Sequence, residues 1–186
     1  MRRGLGAALV AAVAWVTSGV AAVGVDAAEA TPCRFTAEFD LAPGLSLTPT
    51  SGTFTSGGET GTINCSGRVD GRMVTGPGTF GADGSYGTAD GDSCVSGGEG
   101  SATQSFTLRT GDGPVPVGNA IAFTYQPVPG SPADREAADA ARPAVASGRF
   151  SGPRFSGTFE VTVVKGDCVT GPVTRVRLDG RGTLLS

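Results

Sequence analysis

The chain has 186 residues, with 14 basic and 17 acidic side chains, four cysteines and no histidine. Without histidine, Ser-His-Asp triads, Cys-His pairs and H-E-x-x-H zinc sites are excluded. A net charge of −3 with no basic stripe argues against nucleic acid as a partner, and no G-x-x-x-x-G-K-[ST] phosphate loop occurs.

Residues 1–30 read as a signal peptide. Arg2 and Arg3 form a basic start, and 5–25 are almost entirely Ala, Val, Leu and Gly, interrupted by Trp15, Thr17 and Ser18. Ala28-Glu29-Ala30 is an A-x-A cleavage signal. Thr31 then begins the mature chain, and 31–186 form a single domain, expected to be secreted. The apolar stretch is just long enough to cross a bilayer, but its Gly and Ala content makes it weakly hydrophobic. Cleavage is therefore favoured over anchoring, and no membrane span is expected after it. Pro32, directly before Cys33, argues against lipidation.

Period-2 alternation dominates the chain beyond the leader. It recurs at 34–41, 62–69, 104–110, 120–125, 158–163 and 174–179, and it predicts half-buried strands of an antiparallel sheet. Asp70-Gly71 suits a tight hairpin joining Val69 to Arg72. Asp83-Gly84, Asp90-Gly91, Asp112-Gly113 and Asp179-Gly180 repeat that turn chemistry, and Gly-Pro pairs at Gly76, Gly113, Gly152 and Gly171 add breaks. Gly67, Gly78, Gly100, Gly148 and Gly157 read as strand-interior glycines, which mark coiling, bulges or close backbone approach. Residues 131–142 read as a short surface helix, with Ser131 as N-cap, Pro132 as first helical residue and Pro143 as stop. Arg149-Phe150-Ser151-Gly152 is followed at once by Pro153-Arg154-Phe155-Ser156-Gly157. Phe150 and Phe155 differ in parity, so Gly152-Pro153 must reset the register for both to be buried. If it does not, one Phe-Arg pair is exposed as a contact patch.

An even cysteine count in an exported chain reads as a disulfide framework. Cys33 continues the parity of Phe35, Ala37, Phe39 and Leu41, and Cys65 shares parity with Ile63 and Val69. Inward-facing sets would bring those two cysteines together on neighbouring strands. Cys94 and Cys168 sit in echoing turn contexts, Gly91-Asp92-Ser93-Cys94 and Gly166-Asp167-Cys168. The favoured pairing is therefore Cys33–Cys65 and Cys94–Cys168.

Together the strands predict an all-β domain, an antiparallel meander closing into a small barrel of about eight strands, with a two-sheet sandwich as the alternative. Scarce lysine (Lys165) and isoleucine (Ile63, Ile121), 31 glycines and the leader resemble the small exported proteins of high-GC Gram-positive bacteria. Strand rhythm and glycine usage are similar to small calycin-like and allene-oxide-cyclase-like barrels. That resemblance implies a barrel fold and supplies no catalytic residues.

The chemistry left open is narrow. Glu38 and Glu160 have outward parity, which suits solvent rather than a paired-carboxylate cleft. Asp90-Gly91-Asp92 lacks the rest of a calcium loop and reads as an acidic turn. No metal and no cofactor are expected. The expected role is non-enzymatic: binding a small apolar ligand, or a protein or cell-envelope partner, with Tyr86, Tyr125, Phe150 and Phe155 as candidate contacts. The alternative is an enzyme using carboxylate or tyrosine acid–base chemistry at the barrel mouth.

Overall fold

The computed structural model describes residues 29–88, 90–128 and 145–186. Ten strands run in chain order: β1 (Ala30–Leu45), β2 (Gly52–Thr55), β3 (Gly61–Cys65), β4 (Arg68–Val69), β5 (Arg72–Tyr86), β6 (Gly98–Thr110), β7 (Gly113–Pro127), β8 (Ala146–Ser151), β9 (Phe155–Lys165) and β10 (Val173–Leu185). No helix occurs among the described residues, and the helix predicted at 131–142 lies outside them, as do residues 1–28 of the predicted signal peptide.

The strands form one antiparallel sheet that closes on itself. From β5 to β10 each strand pairs with the next, and β10 pairs with β1 from Ala30↔Leu185 to Asp40↔Arg175. The remaining gap between β1 and β5 is filled by two short strands set end to end. β2 bridges Asp40–Ala42 to Asp83–Tyr86, and β3 bridges Cys33–Thr36 to Gly78–Phe80. The result is a ring of eight strand positions, and the sandwich alternative falls away.

One of the aspartate–glycine turns forms as the sequence predicts, and a second is displaced by one residue. Asp70-Gly71 joins Val69 to its partner Arg72, with positive φ at both residues (49° and 75°) as a two-residue hairpin loop demands. Gly111-Asp112 joins β6 to β7 through the Thr110↔Gly113 pair. Two others do not turn: Asp83-Gly84 lies within β5 and Asp179-Gly180 within β10. Gly76-Pro77 does not break the chain either. It bulges β5, where the register against β6 shifts on both sides of Gly76 and proline has no N–H to contribute. Gly67 lies between β3 and β4 rather than within a strand.

Inward side chains alternate as the parity predicts, and all nine phenylalanines enter the lumen or its wall. Five of them, Phe35, Phe80, Phe106, Phe150 and Phe155, pack into one aromatic floor with ring centroids 4.6–6.2 Å apart. Gly152-Pro153 does reset the register: the turn between β8 and β9 lets Phe150 and Phe155 both point inward, 5.1 Å apart. Below the floor the end is sealed by Ile63, Val69, Leu108 and Leu184, each fully buried. Asn119 braces this region, its amide donating to the Gln104 side chain (3.1 Å) and to the Phe155 carbonyl (3.0 Å).

The rings fit because glycines face them. Gly180 is the direct partner of Phe35, Gly148 of Phe159, Gly100 of Phe123 and Gly84 of Phe54. A Cβ at any of these glycines would collide with the ring opposite. This is why Asp83-Gly84 and Asp179-Gly180 are strand and not turn: the glycine serves space, not backbone reversal.

Gly180→Ala is therefore expected to destabilise the fold by about 1–3 kcal/mol, the usual cost of overpacking, measured by urea unfolding. Gly118→Ala, where a Cβ meets open space, should change stability by no more than about 0.5 kcal/mol. Adding Phe35→Leu to Gly180→Ala should recover part of the loss. Strictly additive costs would show that the ring is not what limits position 180.

Candidate functional site

Above the aromatic floor the lumen is not filled. Phe39, Phe54, Phe123 and Phe159 line it edge to face, with centroids 5.7–6.3 Å apart where they meet. Leu41, Leu45, Ile121, Val161 and Leu178 complete the wall and stay only partly buried. Ala82 and Ala102 leave room where larger side chains would close it. The resulting apolar cavity is about 100 Å³. Its polar lining groups are Tyr86, Tyr125 and Gln104.

The open end is built by three connections. The 87–97 loop is tied to the 46–51 loop by reciprocal backbone bonds between Asp92 and Thr50 (2.8 and 2.9 Å) and by the Cys94 N–H donating to the Ser46 carbonyl (3.0 Å). The Cys94–Cys168 disulfide ties it to the 166–172 loop, with Cα atoms 6.3 Å apart. At the sealed end Cys33 and Cys65 are directly opposed on β1 and β3, Cα atoms 4.0 Å apart, and form the second disulfide. Both expected pairings are present.

This tethering folds Asp92 inward. Gly98 begins β6 on the inward parity of Ala102, Gln104 and Phe106, and the Asp92 carboxylate occupies the space that a side chain at Gly98 would take. Asp92 is 1% exposed. Its Oδ1 accepts the Glu99 N–H at 3.1 Å. Its Oδ2 faces the Tyr125 hydroxyl, but neither atom completes an aligned hydrogen bond. Tyr86 stands beside them and donates its hydroxyl proton to the Pro43 carbonyl. The mouth thus carries a Tyr86–Asp92–Tyr125 cluster above an apolar lumen.

Burial sets the electrostatics. It raises the Asp92 carboxyl above the ordinary 3.8, against the opposing pull of the Glu99 N–H and the Tyr125 hydroxyl. Burial, then the Asp92 charge, holds both tyrosines protonated beyond the ordinary phenol range. The other acids face outward: Glu38 pairs with Arg177 (2.7 Å) and Asp40 with Arg175 (2.6 Å). Asp92 is the single buried acid among the described residues, so two carboxylates do not converge across a cleft. Asp90 is exposed while Asp92 is buried, and no group of three metal-ligating side chains forms among the described residues.

Of the four sequence-predicted contacts, Tyr86, Tyr125 and Phe150 line the cavity. Phe155 does not: it is fully buried in the aromatic floor. Asp92, which the sequence presents as half of an acidic turn, is the buried mouth residue that alternation does not reveal. Its signal is the inward glycine at position 98, directly opposite Tyr125, which leaves a space that a neighbouring loop must fill. A larger concavity of about 930 Å³ lies outside the ring, and Arg34, Arg149, Glu160, Asp179 and Arg181 put both charge signs along it. It lacks the enclosed, single-character lining of the lumen.

Compared with family models, curated proteins and solved structures, the chain gives no match. Among the described residues no helix is long and apolar enough to cross a membrane.

The raised carboxyl carries a sign. The folded state holds the Asp92 proton more tightly than the unfolded chain, so ionisation costs stability as pH rises through and above the ordinary value. Asp92→Asn removes that cost. The variant should match the wild type at acidic pH and exceed it at neutral pH, read as urea midpoints across a pH series. The exposed Asp40, shifted the opposite way by Arg175, is common to both proteins and cancels. Equal midpoints throughout would mean that Asp92 ionises as freely in the fold as in the unfolded chain.

Proposed function

We propose that this protein is an exported, non-enzymatic β-barrel that binds a small apolar ligand in its half-open lumen. The observation that carries the reading is the division of the phenylalanines: Phe106 and Phe155 are sealed in the floor, while the other seven line a cavity left open above them. Protein interiors close-pack, so an apolar space open at one end of a disulfide-tied ring is a binding feature rather than a packing remainder. Its volume of about 100 Å³ compares with about 150 Å³ for a dry cavity that takes benzene, which sets the ligand's buried part at about one small ring or short chain. Export is supported by the leader and by the two disulfides, which suit an oxidising compartment. Catalysis at the mouth has one observation in its favour, Asp92 beside Tyr125, but burial and the Asp92 charge hold both neighbouring tyrosines protonated, which makes them poor proton donors.

Toluene is the direct probe, with binding followed by ligand-observed NMR. Saturable binding is expected in the wild type. Ala102→Leu, which places a larger side chain in the cavity wall, should weaken it at least ten-fold while both disulfides still form. Absence of toluene binding, together with a native mass free of retained ligand, would overturn the reading.

A further inference from the structure

The mouth cluster says more about the ligand than the cavity does. Asp92 takes no part in the three ion pairs among the described residues, and no cation is among the groups acting on it. A buried carboxylate is costly unless it is paired. Oδ2 of Asp92 and the Tyr125 hydroxyl oxygen are both buried and lack an aligned hydrogen-bond partner, although nearly all such atoms find one in folded proteins. Their position is specific. The carboxylate fills the inward space at Gly98, Gly98 is the direct partner of Tyr125, and Tyr125 lines the cavity.

An apolar body seated in the lumen would therefore bring its upper end to Tyr125, beside which the Asp92 carboxylate lies with no cation acting on it. We infer that the ligand is a small amphiphile whose apolar part occupies the lumen and whose primary ammonium head is bound at the mouth by Asp92 and Tyr125. The ammonium supplies what Asp92 Oδ2 lacks, a counter-charge and an aligned donor, and a further N–H for the tyrosine oxygen to accept. A carboxylate head would meet like charge on Asp92. A purely apolar ligand would leave both oxygens as they are. This inference rests on the lumen being the binding site, and charge-assisted hydrogen bonds set the size of the expected preference.

Toluene, benzylamine and benzoate share one ring and differ at the head, so titrating the wild type with each by NMR at pH 7.5 separates the two readings. Benzylamine is expected to bind at least ten-fold more tightly than toluene, and benzoate more weakly than toluene. Asp92→Asn should bring benzylamine and toluene within about two-fold of each other, and Tyr125→Phe should narrow the gap. The amide resonances of Gly98 and Glu99 should move with benzylamine and not with toluene, a readout that needs no variant. Saturable toluene binding with no benzylamine preference, or a preference that survives Asp92→Asn, overturns the ammonium assignment and leaves the lumen reading standing. Failure of both toluene and benzylamine to bind overturns the two together.

Discussion

The structure depends on glycines set directly across from aromatic rings. An eight-strand ring has an interior just wide enough for side chains to fill, and nine phenylalanines are more than such an interior accepts if every facing position carries a Cβ. At Gly180, Gly148, Gly100 and Gly84 the ring on the opposing strand occupies the volume that the missing side chain would have taken. Glycine in a strand costs backbone entropy and offers nothing to pack. Here the opposing ring supplies the packing and covers the bare backbone, so the loss is offset locally. The same pairing helps hold register at Phe54 and Phe159, because sliding by two residues would set those rings against Ala82 or Tyr86 and against Ala146 or Phe150, all of which have a Cβ.

From that constraint the two halves of the molecule are built. In the lower half the rings meet across the lumen and become a floor, with Phe155 against both Phe106 and Phe150. In the upper half Phe39, Phe54, Phe123 and Phe159 lie around the wall, and inward alanines stand where further bulk would have closed the space. The disulfides sit at opposite ends for different reasons. Cys33–Cys65 fastens β3, a five-residue strand, to β1 at the sealed base. Cys94–Cys168 joins loops far apart in sequence across the mouth, at the edge of the core.

What is legible in the chain is whatever repeats along one strand. The run Phe35, Ala37, Phe39, Leu41 announces its inward face, and the parity of Cys33 and Cys65 is enough to pair them. What is not legible depends on a second strand. β5 does not read as one long strand because Gly76-Pro77 and Asp83-Gly84 look like punctuation. Only its pairings, with β2, β3 and β4 on one side and β6 on the other, keep it extended. Phe150 and Phe155 are indistinguishable within an R-F-S-G repeat, yet one lines the cavity and the other is sealed beneath it. The difference comes from height along the ring axis, which alternation does not encode.

Asp92 shows how a loop completes a barrel. The strands alone would leave the inward face at Gly98 empty, opposite a tyrosine whose hydroxyl has no aligned partner. The 87–97 loop fills that place with a carboxylate, against the cost of desolvating it. The loop is not free to withdraw: it is bonded to Thr50, to Ser46 and, through Cys94, to Cys168. Such attachments, holding an unpaired acid at the rim of an apolar space, make sense if the acid is kept for something that arrives. Were it purely structural, asparagine would fill the same volume and accept the same Glu99 N–H without the burden of charge. The acid at position 92 thus carries a cost in stability that its neutral isostere would not.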